Sequence, residues 1–284
     1  MTQRPNFNDD QLLRLSVRMR QDVLRYIVAA GAGHTGGSLS CLDILNVLYN
    51  RVLRVSPQTF SDPGRDRYVQ SKGHSVEALY VVLAHAGFFP IQQLETLCHY
   101  QSPFVGHPTR KTPGIEMNTG GLGHGLSICN GMAIAGKRTG ADYRVFTLMG
   151  DGELAEGSNW EAAMSAAHYG LDNLTAIIDH NSLQITGPTR DVCSNEPLDE
   201  KFAAFGWAVV TVDGHDYAQL TDALSNPAEP GKPTCVIANT TKGRGVSFME
   251  NVISWHHGVP SQQQYDDAIA ELQAAERLLE ESAP

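Results

Sequence analysis

Five short runs rich in β-branched and large apolar residues, at 67–70, 143–149, 174–179, 208–212 and 234–239, alternate along this chain with stretches of helical period. That alternation sets the tightest limit on the fold, because strands separated by helices pair through right-handed crossovers. It predicts an α/β fold with a mostly parallel sheet and helices on both faces. Helices are expected at 12–30, 40–55, 75–86, 122–137, 159–169 and 200–205. In the first, Leu12, Leu15, Met19, Val23, Tyr26 and Ile27 recur every three or four residues, and the pattern stops at Gly31. The tail from 261 to 284, rich in Gln, Ala and Glu, reads as a surface helix that runs out. No repeat, low-complexity tract or linker breaks the pattern, so residues 1–284 read as one domain.

Composition narrows the function classes. Hydrophobic residues make up 42% and charged residues 18%, as in an ordinary globular protein. The net charge of −10, with no cluster of Lys and Arg, argues against binding to nucleic acid or an anionic membrane, which requires concentrated positive charge. No apolar run approaches the roughly 20 residues that span a bilayer, and the polar opening lacks a secretory pattern, so a soluble protein is expected. The five cysteines are scattered and odd in number, which fits neither a disulfide framework nor a C-x-x-C metal site and suits a reducing cytoplasm.

Several local patterns have a bland reading. Gly31, Gly33 and Gly36 in GAGHTGG match the G-x-G-x-x-G spacing of dinucleotide sites, but that fingerprint needs a preceding strand, and the residues before Gly31 have helical period. The segment GGLGHG reads as a place where a ligand or a helix approaches the backbone closely. Ser158 and Glu161 have capping-box spacing, and Trp160 and Met164, four apart, read as core contacts.

The chemistry lies at two strand ends. The run VFTLMG opens into DGELAEG, carrying Asp151 and Glu153, and the next strand ends in IIDHNSLQITG, with Asp179 and Asn181. Ligands of open α/β sheets sit beyond the carboxyl ends of the strands. Asp151 and Asn181 are about 30 residues apart, one β-loop-α-β unit, so a crossover can bring both to one rim. Either alone reads as an N-cap Asp or a turn Asn. Together, with a nearby backbone carbonyl, they suit a hard cation such as Mg2+ or Ca2+, and Mg2+ usually completes its shell with water and phosphate oxygens. Gly150 and Gly152 would leave room for that phosphate.

Gly-Asp-Gly followed at that distance by Asn resembles the thiamine diphosphate signature, and GDGELAEGSNWEAA, SKGH, GHP and HHGVP together resemble transketolase. The resemblance covers nearly the whole chain but only the first half of a full-length transketolase. It implies a thiamine diphosphate-binding domain whose partner subunit would carry the pyrimidine-binding and third domains. By motif position it implies that Asp151 and Asn181 bind the cation through side chains and Leu183 through its carbonyl. Gly152 and His74 would contact the diphosphate, and Gly120 and Leu122 the aminopyrimidine and thiazolium. His34, His107 and His257 would line the substrate channel, where imidazoles move protons near neutral pH. Glu156 would correspond to an acid near the subunit interface, with an exposed cap as the competing reading. Thr35, Gly121 and His124 stand where the family usually has Pro, Pro and Gln. The first two would mainly alter loop stiffness, and His124 would change contacts close to the cofactor, which bears on substrate range more than on reaction type. The implied activity is transfer of a two-carbon ketol unit between sugars, in an α2β2 assembly. The alternatives are another two-subunit thiamine enzyme, of oxo-acid dehydrogenase or deoxyxylulose-phosphate synthase type, and a non-catalytic scaffold subunit.

Overall fold

The computed structural model describes residues 7–281. Strands β1 (Arg67–Gln70), β2 (Val145–Gly150), β3 (Leu174–His180), β4 (Ala208–Asp213) and β5 (Thr234–Asn239) form one parallel sheet in the order β1-β2-β3-β5-β4. Around it run α1 (Asp9–Ala30), α2 (Thr35–Val47), α3 (Val76–His85), α4 (Gly125–Thr139), α5 (Gly157–His168), α6 (Thr189–Val192), α7 (Leu198–Ala204), α8 (Tyr217–Ser225) and α9 (Gln262–Glu281). The expected architecture holds. Alternate strand residues enter two separate cores, because successive side chains of a strand point to opposite faces. Phe146, Leu148, Ile177 and Val236 pack with α1, α2, α3, α8 and α9. Val145, Met149, Ile178 and Cys235 pack with α4, α5 and α7.

Several boundaries differ from the sequence reading. The second helix begins at Thr35, inside GAGHTGG, instead of at residue 40. Glycine weakens a helix signal, but Gly36 is required by contact: a Cβ there would lie 2.9 Å from the Trp255 carbonyl oxygen. Helix α8 was not expected; the Asp216 carboxylate caps it, accepting from the Ala218 and Gln219 amides at 2.9 and 3.0 Å. The capping box at Ser158 is absent, since α5 starts at Gly157 and the Ser158 hydroxyl donates instead to the Gly123 carbonyl at 2.8 Å. Trp160 does pack against the core, but Met164 is 52% exposed. Helix α9 does not simply run out. It buries Ala268 and Leu272, and Glu276 accepts from Arg18 and Gln21 of α1. No helix among the described residues is long and apolar enough to cross a membrane.

Candidate active site

The parallel register sets Gly150 of β2 beside Asp179 of β3, so the residues that follow, Asp151 and Asn181, emerge at the same rim. The Asp151 carboxylate accepts the Gly152 amide at 2.8 Å with one oxygen and the Ser182 amide at 2.5 Å with the other. Asn181 Oδ1 accepts from the Leu183 amide at 3.2 Å, and the Leu183 carbonyl accepts from Lys242 Nζ at 3.1 Å. Residues with three oxygen types, carboxylate, amide and backbone carbonyl, thus stand together where two neighbouring strands end. Burial, and then the charge of Asp179, push Asp151 up to about 6, and a divalent cation would favour its ionised form.

These residues border a cavity of about 270 Å3. His34, His74, Gly120, Leu122, Gly152, Asn181 and Leu183 line it together with Asp151. His107 and His257 are exposed, with rings centred 6.2 and 4.6 Å from that of His34. Glu156 lies apart from the cavity lining, exposed at the start of α5, where its side chain makes no capping bond. His124 is also exposed, and its Nδ1 lies 2.9 Å from the Leu122 carbonyl oxygen.

The cavity holds residues that motif positions did not single out. Lys72 and Lys242 are buried yet line it, and His256 is the member of the HH pair that does so. The His256 ring stacks on His74 with centroids 5.4 Å apart, and its Nδ1 lies 2.8 Å from Lys242 Nζ. Lys72 pairs with the fully buried Asp179, which also accepts from Ser40 at 2.7 Å and from Thr240. Burial opposes the Lys72 charge, but Asp179 more than offsets it and raises its pKa. Burial, then Lys72, lower Lys242 to about 8. Buried Glu153 accepts from Ser71 and from the Gly123 and Gly150 amides, the latter two at 2.9 and 3.1 Å, so one carboxylate joins the end of β2 to the segments that carry Ser71 and Gly123. The SKGH motif contained Lys72, but only the fold showed its partner, because Asp179 comes from another strand.

Four imidazoles, His34, His74, His107 and His256, are held uncharged. Burial first, then neighbouring imidazoles and lysines, pull His34 down to about 4 and His256 to about 3. Burial likewise depresses His74 and His107. Near neutral pH each of these rings has one donor and one acceptor nitrogen, as proton exchange with hydroxyls requires.

Beneath His34 sits Glu77, 2% exposed, whose carboxylate accepts the His34 amide at 3.2 Å and the Ser38 hydroxyl at 2.8 Å. Burial dominates and raises it from 4.5 to about 7. A raised carboxyl contributes stability that is complete below the unfolded value and is lost as pH rises through the folded one. Glu77→Gln should therefore stabilise the protein by on the order of 2–3 kcal/mol at pH 8.5 and change little at pH 5, at about 1.4 kcal/mol per pKa unit. Urea titrations at the two pH values check this; an equal change at both would show that Glu77 is not neutralised in the fold.

A thiamine diphosphate–cation pair fits this site on three observations. The rim offers carboxylate, amide and carbonyl oxygens, the donor types a hard cation takes, two buried ammonium groups line the same cavity, and the buried Gln184 Nε2 has no hydrogen-bond partner. Gly152 also leaves no space for a side chain, since a Cβ would lie 2.8 Å from Gln184 Cγ.

Fold and site define a parallel α/β protein that receives its ligand at the carboxyl rim of the sheet. The profile of the family described as "Transketolase, thiamine diphosphate binding domain" matches residues 15–275. An apulose-4-phosphate transketolase subunit of Phocaeicola vulgatus is 48% identical over 258 residues, 90% of this chain and 92% of that protein. A 6-deoxy-6-sulfo-D-fructose transketolase subunit of a Clostridium species is 41% identical over 257 residues, 90% of this chain and 94% of that protein. Among solved structures, transketolase from Leishmania mexicana superposes with a TM-score of 0.83 at 28% identity over 95% of this chain. The match spans 46% of that structure, so this chain corresponds to about half of it. The chain belongs to the transketolase family, to its thiamine diphosphate-binding N-terminal part.

Proposed function

We infer that the chain is the diphosphate-binding subunit of a two-subunit transketolase that transfers a two-carbon ketol unit from a ketose to an aldose, both phosphorylated. The observation that carries this reading is the cavity in which Asp151, Asn181 and Leu183 meet two buried lysines and a cluster of imidazoles. Relatives named for apulose 4-phosphate and for a sulfonated fructose support a substrate with an anionic end.

When bound, thiamine diphosphate supplies the stabilised carbanion chemistry of ketol transfer. The residues of this chain bind and orient it and exchange protons with the sugar. Asp151 and Asn181 hold Mg2+ or Ca2+ with their side chains, and Leu183 contributes the second lone pair of its carbonyl. Gly152 and His74 contact the diphosphate, and Lys72 and Lys242 neutralise it. Gly120 and Leu122 approach the rings of the cofactor. His34, His107 and His257 bond sugar hydroxyls, and His34 and His107 accept and return protons as neutral imidazoles. Glu156, exposed beside the Gly120–Gly123 turn, is suited to a contact between subunits. All five cysteines are free, in accord with the cytoplasmic location we assign.

Calorimetric titration with thiamine diphosphate tests the reading. Saturable binding that requires Mg2+ or Ca2+ and disappears with chelator is expected. No binding, even with the partner subunit present, would make the chain a non-catalytic scaffold.

A further inference from the structure

Lys242 enters the cavity from residues 241–244, the segment that follows β5. Its ammonium is a point charge on a flexible stem, so its position depends on how firmly that backbone is held. Both ends of the segment are tied to one buried carboxylate. Asp43, on α2 and 3% exposed, accepts with Oδ1 from Arg20 Nη1 at 3.1 Å and from the Tyr217 hydroxyl at 2.8 Å. Its Oδ2 accepts from Arg20 Nη2 at 2.7 Å and from His215 Nδ1 at 2.8 Å. Burial alone would raise Asp43, but Arg20 and the bond from His215 outweigh it and hold the carboxyl well below the usual range.

Two of these partners also reach the segment that carries Lys242. His215 Nε2 accepts the Thr241 amide at 2.9 Å, and Arg20 Nε donates to the Arg244 carbonyl at 2.9 Å. A backbone N–H can only donate, so His215 is the neutral tautomer with its proton on Nδ1, facing Asp43. Between the two ties, the Gly243 amide donates to the Gly36 carbonyl at 3.0 Å, fixing the segment to the first turn of α2. At the other end of the side chain, Lys242 Nζ bonds the Leu183 carbonyl and His256. Asp43, Arg20 and His215 all stand outside the cavity lining.

We propose that Asp43 is a positioning residue which, through Arg20 and His215, clamps residues 241–244 from behind and so sets Lys242 in the cavity for an anionic ligand. The proposal rests on the reading of Lys242 as a group that faces the diphosphate. The arrangement suits this role because a bidentate Arg–carboxylate pair fixes direction as well as distance. A segment held in advance by these bonds also limits the ordering cost of binding.

The test uses the full chain, inorganic pyrophosphate with Mg2+, and calorimetry. His215→Asn keeps a donor toward Asp43 but loses the acceptor for the Thr241 amide. It should raise the Kd for pyrophosphate about tenfold, as should Lys242→Met, and the double variant should bind no more weakly than Lys242→Met alone, because coupled residues are not additive. Tyr217→Phe removes a bond to the same carboxylate but reaches neither end of the segment, so its Kd should stay within about twofold of wild type. Amide exchange at Thr241 and Gly243 should quicken in His215→Asn only. If His215→Asn folds poorly, Arg20→Lys, which loses the bond to the Arg244 carbonyl, should show the same non-additivity with Lys242→Met. Wild-type affinity in Lys242→Met would overturn the diphosphate reading, leaving the exchange result to judge the clamp. Unchanged affinity and exchange in His215→Asn, or an equal loss of affinity in Tyr217→Phe, would overturn the clamp itself.

Discussion

Asp151→Ala and Asn181→Ala are each expected to abolish cation-dependent binding of thiamine diphosphate while leaving the fold in place. Each removes an oxygen from a set to which this chain brings only a few, and a divalent cation that has lost a protein ligand binds far more weakly. We expect affinity to fall at least about 100-fold for Asp151→Ala, which also removes the formal charge of the set. The fold should survive because both side chains stand at the rim and neither belongs to the two apolar cores. Asp151 gives up its bonds to the Gly152 and Ser182 amides, at about 1 kcal/mol each. Its loss also relieves a buried carboxylate that burial and Asp179 already push toward the neutral form. Circular dichroism and a Mg2+ titration of cofactor binding check the pair. Wild-type affinity in either variant would remove that residue from the cation site.

The second large effect is on turnover. This chain alone should have no measurable ketol-transfer activity, and coexpression with its partner should restore it. In thiamine enzymes of this type an acid on the pyrimidine-binding domain activates the cofactor, and the resemblance assigns that domain to a separate chain. Relatives of this length are named as transketolase subunits, and the match spans 46% of a solved full-length transketolase. The surface agrees. Ile185, which lines the cavity, is 62% exposed, and Val252, Ile253 and Val259, on the approach to His257, are each more than a third exposed. Apolar groups at the mouth of a site invite cover. The partner is expected to cover this surface, and an α2β2 assembly with two complete sites related by a two-fold axis is the expected outcome. Size-exclusion chromatography and a coupled assay on the single chain and on the pair check this. Robust turnover by the single chain would overturn the two-subunit reading.

How much of this was legible beforehand differs by residue. Asp151 and Asn181 could be paired from sequence because one crossover length separates them and parallel strands place equivalent ends at one rim, as the register confirms. His34 and His74 were legible as motif positions, and both line the cavity. Lys72 was visible in SKGH but gave no sign of its role, since its partner, Asp179, lies 107 residues away. His256 and His257 are adjacent in HHGVP, and only packing shows that His256 lines the cavity while His257 stays exposed.

The order and type of the main elements, with helices on both faces of the sheet, follow from local pattern alone, because a period of two or 3.6 survives without tertiary contacts. The same holds for which strand ends carry oxygen donors. Nothing local says that β5 lies between β3 and β4. That placement, set by packing, brings Thr240 to Asp179 and the segment bearing Lys242 to the cavity. Packing also starts α2 at Thr35, against the weak helical tendency of its glycines, because the Trp255 carbonyl passes too close for any side chain at Gly36. The gathering of Arg20, His215 and Tyr217 on Asp43 has the same origin: those residues share no local period, and the burial of one carboxylate must be matched by donors from whichever elements pack against it.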